Sequence, residues 1–153
     1  AAWLFAFSWG FLLGCPAVGS SVILPVAVPL FVSNFLWCMT YDAIYAHQDK
    51  KFEVTAGVKS TALAWGAKTK PILNKLTHAQ LGLYLFSGFW NSMGPGFYLS
   101  TFWGFSRIYE MIKLVDLDDP KLCWLAFLSN IRTGEIMLVG IFIDYILKLF
   151  GVL

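Results

Sequence analysis

A long apolar run without a charged residue, from Val22 to Thr40, constrains this chain more than any other feature. Its length is close to the roughly 20 residues that a helix needs to cross a bilayer. Hydrophobic residues make up 58% of the 153 residues, charged residues make up 13%, and the mean hydropathy is +0.68. Soluble domains average roughly 45–50% apolar and 25% charged residues. The run therefore predicts a membrane helix.

Further apolar stretches of similar length divide the chain into crossings. We predict an all-α, multi-pass transmembrane helical bundle of about five spanning helices, with residues 1–153 forming a single transmembrane domain. A tight break at Gly94-Pro95-Gly96 separates the third helix from the fourth. The predicted spans lie near Ala2 to Val18, Val22 to Tyr41, Leu76 to Trp90, Gly96 to Lys113 and Gly134 to Phe150.

The basic residues lie almost entirely on one side of this predicted topology. The loops at 42–75 and 114–133 share a side, and with the adjoining span ends they hold ten of the eleven Lys and Arg residues. Only Lys148 lies opposite. The positive-inside rule then places the basic side toward the cytoplasm or its organellar equivalent, and attraction to acidic lipid is a compatible alternative. A net charge of +2 is too small to indicate nucleic-acid binding.

Three acidic residues, Asp42, Asp49 and Glu53, follow the second predicted span within twelve residues. If the helix continues, they share one face with Tyr45, at positions i, i+3, i+7 and i+11. Like charges on one face repel, and acids near a helix C-terminus oppose the helix dipole, so a bound cation would reverse an unfavourable arrangement. Carboxylate oxygens suit Mg²⁺, especially where substrate phosphates complete its coordination. Hydrated acids beside two lysines at a membrane surface are the alternative that the spacing leaves open.

The segment EVTAGVKSTALAWG, which begins at Glu53, has features of an anion-binding site. Gly57 permits close approach to the backbone, and Lys59 offers a mobile ammonium group. Ser60 or Thr61 can cap a short helix whose free N–H groups favour phosphate. The GxxxxGK[ST] pattern of a Walker loop is absent. A capped helix at the membrane interface, without a ligand, is the alternative interpretation.

The run YDAIYAHQDKKFEVTAGVKSTAL, which begins at Tyr41, resembles the second aspartate-rich motif of the UbiA family of membrane prenyltransferases. The family pattern is close to YDxxYAxxDxxxDxxxGxKST. The segment LDDPKLCWLAFLSN, from Leu117 to Asn130, is similar to a later loop of that family. The family's other motif, NDxxDxxxD, has no counterpart here. The resemblance therefore implies the C-terminal portion of a bundle of usually nine crossings, with half of an active site.

The resemblance implies functional roles only for those residues of this chain that match the family motif. It implies that Asp49 and Glu53 bind the metal, that Tyr45 and Asp49 are catalytic, and that Asp42 and Lys59 bind substrate. Glu53 stands where the family has Asp, and Phe52 occupies a position that is commonly acidic. These departures predict a difference in metal affinity or product class.

The function implied by the resemblance is Mg²⁺-dependent prenyl transfer. A polyprenyl group would pass from a polyprenyl diphosphate to an aromatic acceptor, such as 4-hydroxybenzoate or a phenolic polyketide, in ubiquinone or meroterpenoid biosynthesis. The expected location is the mitochondrial inner membrane or the endoplasmic reticulum, and the isolated fragment is expected to be inactive. A non-catalytic membrane subunit or a cation-linked solute carrier is the alternative. Alcohol phosphatidyltransfer is disfavoured because the DxxDGxxAR signature is absent.

Several other polar residues are predicted to have structural roles. Asp118 and Asp119 followed by Pro120 indicate a helix N-cap with Pro at the first helical position, with metal binding as the less favoured alternative. His47 is expected at the rim of the site. Arg107 and Glu110 are expected to form a local pair. The three cysteines lack CxxC spacing and are predicted to be buried free thiols: Cys15, Cys38 and Cys123.

Overall fold

The computed structural model describes residues 23–48 and 60–151, together with residues 9, 10, 12–14, 17, 19 and 21. All regular secondary structure in the described part is helical, as predicted. We number five α-helices in chain order, with one turn of 3-10 helix, Gly66–Lys68, between the second and third. The α-helices are α1 Leu24–Gln48, α2 Thr61–Trp65, α3 Thr69–Trp90, α4 Pro95–Leu114 and α5 Pro120–Leu149.

Helix α1 continues beyond the predicted end of its span. The prediction ended near Tyr41, whereas the helix runs to Gln48. Helical geometry therefore extends through the first part of the acidic segment, so Asp42 and Tyr45 lie on one continuous helix. The residues that follow, 49–59, lie outside the described part of the chain.

The polypeptide returns through α2 before entering α3. Ser60 caps α2, because its hydroxyl oxygen accepts a hydrogen bond from the Leu63 N–H at 3.4 Å. Gly66 ends α2 with a φ of 49°, a left-handed conformation that glycine adopts without a steric penalty. The predicted cap and short helix are thus confirmed. Helix α3 begins at Thr69 rather than near Leu76, and its 22 residues give it a length of about 33 Å.

Helix α5 also begins earlier than predicted. Asp119 caps it by accepting a hydrogen bond from the Lys121 N–H at 2.8 Å, and Pro120 occupies the first turn, as the sequence indicated. The predicted loop at 114–133 is therefore wrong over most of its length. The helix has 30 residues and is about 45 Å long, which exceeds the roughly 30 Å hydrocarbon core of a bilayer.

The helices pack as a layered bundle in which α1 contacts α3 and α5, and α4 contacts α3 and α5. Close contact between α4 and α5 depends on small residues, because a Cβ atom at Gly140 would collide with the side chain of Ser100. The apolar centre of the bundle is fully buried, and its largest members are Ile44, Leu73, Phe105, Ile108 and Ile112.

Hydrogen bonds show which helix ends lie together. Lys70 at the start of α3 donates to the Lys113 carbonyl at the end of α4, at 3.0 Å. Lys148 at the end of α5 donates to the Ser92 carbonyl in the α3–α4 turn, at 2.6 Å. These contacts agree with the predicted sides of the loops.

Two of the described helices, α1 and α5, are long and apolar enough to cross a membrane. Helices α3 and α4 have 22 and 20 residues, which is sufficient length, but they are less apolar. Most of the first predicted span, Ala2 to Val18, lies outside the described residues. The helical class is therefore confirmed, and the predicted count of about five spans is not established.

Candidate functional site

Asp42 and Tyr45 lie on the face of α1 that turns away from the buried core. The opposite face carries Ala43 and Ile44, which are 1% and 0% exposed. Asp42 and Tyr45 both line a cleft of about 520 Å³ between α1 and α5, which we call the α1–α5 cleft. Their predicted common face is thus confirmed. The Asp42 carboxylate makes no hydrogen bond to another described residue, so it remains available to water or a ligand.

Aromatic rings from α1 and α5 form one wall of this region. The centroid of Tyr45 lies 5.3 Å from that of Phe127 and 6.3 Å from that of Trp124. Tyr41 meets Phe127 edge to face at 5.5 Å, and Trp124 stacks on Phe127 at 5.6 Å. These separations are typical of interacting aromatic pairs. We call the four residues the aromatic wall; it offers negative ring faces and an apolar surface next to Asp42.

A hydrogen bond between α1 and α5 fixes the inner end of the α1–α5 cleft. The Trp37 indole N–H donates to Asn130 Oδ1 at 3.0 Å, and Asn130 Nδ2 donates to the Ala126 carbonyl at 3.0 Å. Both polar groups of the Asn130 amide are therefore used inside the protein. Beyond this bond, Asn34 and Trp37 also line a cleft of about 300 Å³ that extends to Gln80 and Tyr84 on α3.

A second cleft near Tyr45 lies between the end of α1 and the start of α5. Its volume is about 660 Å³, and we call it the Lys121 cleft. Tyr45 lines both this cleft and the α1–α5 cleft, so its ring borders two spaces. The other residues that line it are Gln48, Pro120, Lys121, Trp124 and Leu125.

The remaining predicted site residues, Asp49, Glu53 and Lys59, lie outside the described residues, and so does Cys15. The part of the chain that the structure describes contains no group of three or more His, Cys, Asp or Glu side chains able to hold a metal ion. Asp42 is the member of the predicted acidic set that the structure describes. The predicted roles of all five site residues stay predictions.

His47, which was expected at the rim of the acidic site, packs against α3, and most of that site lies outside the described residues, so the expectation stays a prediction. His47 is 5% exposed, and its Nε2 lies 3.1 Å from the Thr69 hydroxyl on α3. Since that hydroxyl donates its proton to the Gly66 carbonyl at 2.8 Å, its oxygen accepts from His47 Nε2. His47 therefore joins α1 to α3. It lies five residues after Asp42 and about 140° away around the helix, so it faces a different neighbour.

The predicted pair of Arg107 and Glu110 is also wrong, because no ion pair joins these two described residues. Arg107 Nε is buried and has no hydrogen-bond partner in the described part of the protein. Cys38 and Cys123 are buried free thiols, as expected.

Sequence reasoning missed the contribution of α5 to the site. Trp124, Phe127 and Asn130 recur every three residues and so share one helical face. That spacing is a usable signal, but the predicted topology places this segment in the loop at 114–133. Trp37 on α1 was missed because an aromatic residue in an apolar span has no distinguishing pattern.

The chain is similar to known prenyltransferases. The UbiA prenyltransferase family model matches residues 1–133. The mitochondrial 4-hydroxybenzoate polyprenyltransferase of Saccharomyces cerevisiae is 50% identical over 149 residues, which are 96% of this chain and 40% of that protein. Its counterpart in Homo sapiens is 37% identical over 93% of this chain and 38% of that protein. The 4-hydroxybenzoate geranyltransferase 2 of Lithospermum erythrorhizon is 39% identical over 89% of this chain and 44% of that protein.

These comparisons establish the family. The chain spans about two fifths of the length of the curated relatives that it matches. No solved structure matches it significantly. Because the family model covers most of the sequence, and because the motif that begins at Tyr41 lies within the matched residues, the resemblance is confirmed: this chain belongs to the UbiA prenyltransferase family.

Proposed function

We propose that the whole protein to which this chain belongs transfers a polyprenyl group from a polyprenyl diphosphate to 4-hydroxybenzoate or a similar phenolic acceptor, in ubiquinone biosynthesis. The observation that carries the proposal is 50% identity, over 96% of this chain, to a 4-hydroxybenzoate polyprenyltransferase. The placement of Asp42 and Tyr45 at a cleft with an aromatic wall supports it. The relatives named as mitochondrial favour the mitochondrial inner membrane as the location.

The reaction requires one bond to break and one to form. The C–O bond of the allylic diphosphate breaks, and the diphosphate leaves with the electron pair. A ring carbon of the acceptor attacks the allylic carbon to form a C–C bond, and the ring then loses a proton. A site for this chemistry must hold the diphosphate, shield the electron-deficient carbon from water and place the acceptor next to it.

The acidic segment at the end of α1 suits the diphosphate end of this reaction. Asp49 and Glu53 are the proposed ligands of Mg²⁺, with Lys59 and Asp42 binding the substrate. Bound Mg²⁺ supplies charge neutralisation for the leaving diphosphate. Asp42 is compatible with this role because its exposed carboxylate makes no hydrogen bond to other described residues. Lys59 then provides a positive charge that does not depend on the metal.

The α1–α5 cleft suits the polyprenyl tail. A prenyl chain bound against its aromatic wall would displace water from the allylic carbon. A second cleft, which shares Asn34 and Trp37 with it, reaches Gln80 and Tyr84 on α3. The role proposed for Tyr45, which lines this cleft, is to stabilise the electron-deficient carbon through its ring, an interaction worth about 1–2 kcal/mol where water is excluded. This effect is one contribution to the lower barrier.

The test is an assay of the full-length protein in lipid, with a polyprenyl diphosphate, 4-hydroxybenzoate and Mg²⁺. The expected product is 4-hydroxybenzoate carrying the prenyl group on its ring, with no product after chelation of the metal. Absence of this product, with the protein correctly inserted in the membrane and Mg²⁺ present, would reject the proposed function.

A further inference from the structure

Helices α4 and α5 pack against each other along an antiparallel seam. Gly104 of α4 lies directly against the Met137 side chain of α5, and further along α4 the Met111 Sδ atom lies 3.2 Å from the Ser129 hydroxyl. Arg107 lies between these two contacts. The outer side of this seam, which we call the α4–α5 face, carries Leu99, Trp103 and Arg107 of α4 and Arg132, Val139 and Ile143 of α5.

The guanidinium group of Arg107 is partly enclosed in this seam. Its Nε atom is buried and has no hydrogen-bond partner in the described part of the protein. No hydrogen bond or ion pair joins its two Nη atoms to a described residue, and the side chain as a whole is half-buried. A charge that is partly removed from water is costly without a counter-ion. An anion that reaches the Nη atoms offsets this cost, and it does not need to touch Nε.

Arg132 supplies a second positive charge at the same level of the bundle. Gly134 lies against the Trp37 ring of α1, and Arg132 is about 160° away from Gly134 around the helix, so it faces away from α1. Its side chain is exposed. The nearest acid along each helix is Glu110 or Glu135, and no ion pair joins either of these described residues to an arginine. Both guanidinium groups are therefore available to an anion from outside the chain.

Exposed apolar residues lead along both helices to the arginines. On α4, Leu99 and Trp103 precede Arg107 in steps of four residues, so the three share one face. On α5, Val139 and Ile143 follow the other arginine by seven and eleven residues and also share its face. Each stripe is apolar along its length and positively charged at one end. This pattern matches the acyl chains and the anionic headgroup of a lipid better than it matches a free anion.

The arginines lie at a depth that the headgroups can reach. Arg132 is sixteen residues before Lys148, which corresponds to about 24 Å along α5. A hydrocarbon core of about 30 Å that begins near Lys148 therefore ends within the reach of an arginine side chain. This end of the bundle is the basic side, where Lys70 and Lys113 also lie. Basic pockets between membrane helices on that side bind anionic headgroups.

We propose that the α4–α5 face binds an anionic phospholipid. The phosphate group lies between Arg107 and Arg132, and the acyl chains lie along the two apolar stripes. The lipid joins α4 to α5 on the outer side of the seam and supplies the counter-ion that the described residues do not provide. The inference is independent of the proposed prenyl transfer, because neither arginine lines the cleft assigned to the prenyl tail.

The first experiment measures lipid binding to the full-length protein in detergent by native mass spectrometry. Wild type is expected to retain phosphatidylglycerol in preference to phosphatidylcholine. Arg107→Gln and Arg132→Gln should each lower the affinity for phosphatidylglycerol about fivefold, the usual contribution of one basic residue near an anionic headgroup. Arg107→Lys should retain most of the affinity. Lys113→Gln is the matched control, because it removes the same charge from another face of α4.

The second experiment locates the bound lipid. Bromine atoms in the acyl chains quench tryptophan fluorescence on contact, and the Trp103 signal is the difference between wild type and Trp103→Phe. Brominated phosphatidylglycerol should quench this signal more than brominated phosphatidylcholine at the same mole fraction. The difference between the two lipids should disappear in Arg107→Gln. This measurement reports the position of the lipid, which a change in stability alone does not move.

Three outcomes would overturn the proposal. An equal loss of affinity in Lys113→Gln would show that net charge, and not this face, attracts the lipid. Displacement of the lipid by inorganic phosphate at the same concentration would assign the arginines to a free anion. Equal quenching of wild type by the two brominated lipids would show that the face is not a lipid site, as expected if another part of the full-length protein covers it. That comparison needs no arginine variant, so it holds even if those variants fold poorly.

Discussion

Two aspartates on membrane helices have opposite surroundings. Asp144, near the end of α5, is 0% exposed, and its two oxygens accept hydrogen bonds from the N–H groups of Gly96 and Phe97, both at 2.9 Å. Asp42, near the end of α1, is exposed at the α1–α5 cleft. A carboxylate in a membrane segment is costly unless it is paired or hydrated. The Asp144 carboxylate therefore stabilises the fold, whereas the Asp42 carboxylate is available to water or a ligand.

The same contrast extends to the packing around each residue. Near Asp144 the backbones approach so closely that a Cβ atom at Gly96 would lie 2.7 Å from the Asp144 Oδ1 atom. Near Asp42 and Tyr45 the ends of α1 and α5 leave two clefts, of about 520 and 660 Å³. The Asp144 carboxylate is enclosed by helix contacts, whereas the Asp42 carboxylate borders an open cleft. Substitutions of the two aspartates should therefore affect different properties.

The largest expected effect concerns the activity of the 153-residue chain by itself. The 153-residue chain in lipid should show no measurable prenyl transfer, because the resemblance implies a second acidic motif, NDxxDxxxD, that these 153 residues do not contain. Positioning of reactants contributes on the order of 7–11 kcal/mol to such a reaction. The measurement is turnover of the purified chain beside the full-length protein. Comparable turnover would show that the second motif is dispensable.

Within the full-length protein, the acids proposed to bind the metal should control turnover. Asp49→Ala or Glu53→Ala should reduce the rate on the order of 100-fold or more, because charge on the leaving diphosphate is then poorly neutralised. Asp119→Ala should leave the rate close to that of wild type. Equal losses in all three variants would contradict the division between site residues and a helix cap.

The next effect concerns the contribution of Asp144 to stability. Asp144→Ala should lower the free energy of unfolding by about 3 kcal/mol, because two buried N–H groups at the start of α4 lose their acceptor. Asp144→Asn should cost less, since the amide oxygen can still accept one bond. Asp42→Ala is the matched control and should change stability by less than about 0.5 kcal/mol. Thermal or denaturant unfolding in detergent measures the stability of all three variants. Equal losses of stability for Asp144→Ala and Asp42→Ala would contradict the proposed difference between the two aspartates.

The smallest effect concerns the cap of α5. Asp119→Ala should lower stability by about 1 kcal/mol, the usual cost of a lost N-cap hydrogen bond. The same unfolding assay applies, with Asp118→Ala as control because Asp118 does not cap the helix. A larger loss of stability for Asp118→Ala than for Asp119→Ala would show that Asp118, and not Asp119, caps the helix.

Local signals in the sequence predicted the helices better than their boundaries. The caps at Ser60 and Asp119 and the break at Gly94-Pro95 were identified because each depends on a few neighbouring residues. The start of α5 was placed too late because charged residues such as Lys121 and Arg132 resemble a loop. On a helix longer than the bilayer is thick, such residues are tolerated at and beyond the membrane surface.

The candidate site was only partly accessible to the same reasoning. The common face of Asp42 and Tyr45 follows from helical periodicity, which is a local property. His47 lies two residues after Tyr45 and about 160° away around the helix, so it faces α3 whereas Tyr45 faces the cleft. Which neighbour each face meets depends on how the helices pack.

The sequence by itself determined that this chain forms apolar helices with an acidic segment at the end of α1. A helix satisfies its own backbone hydrogen bonds, so an apolar run of sufficient length is enough to predict it. Only the tertiary structure decided that Tyr45 meets Trp124 and Phe127, and that Asp144 caps α4. These contacts join residues far apart in the chain. They arise from the fit of side chains between helices, which no local pattern encodes.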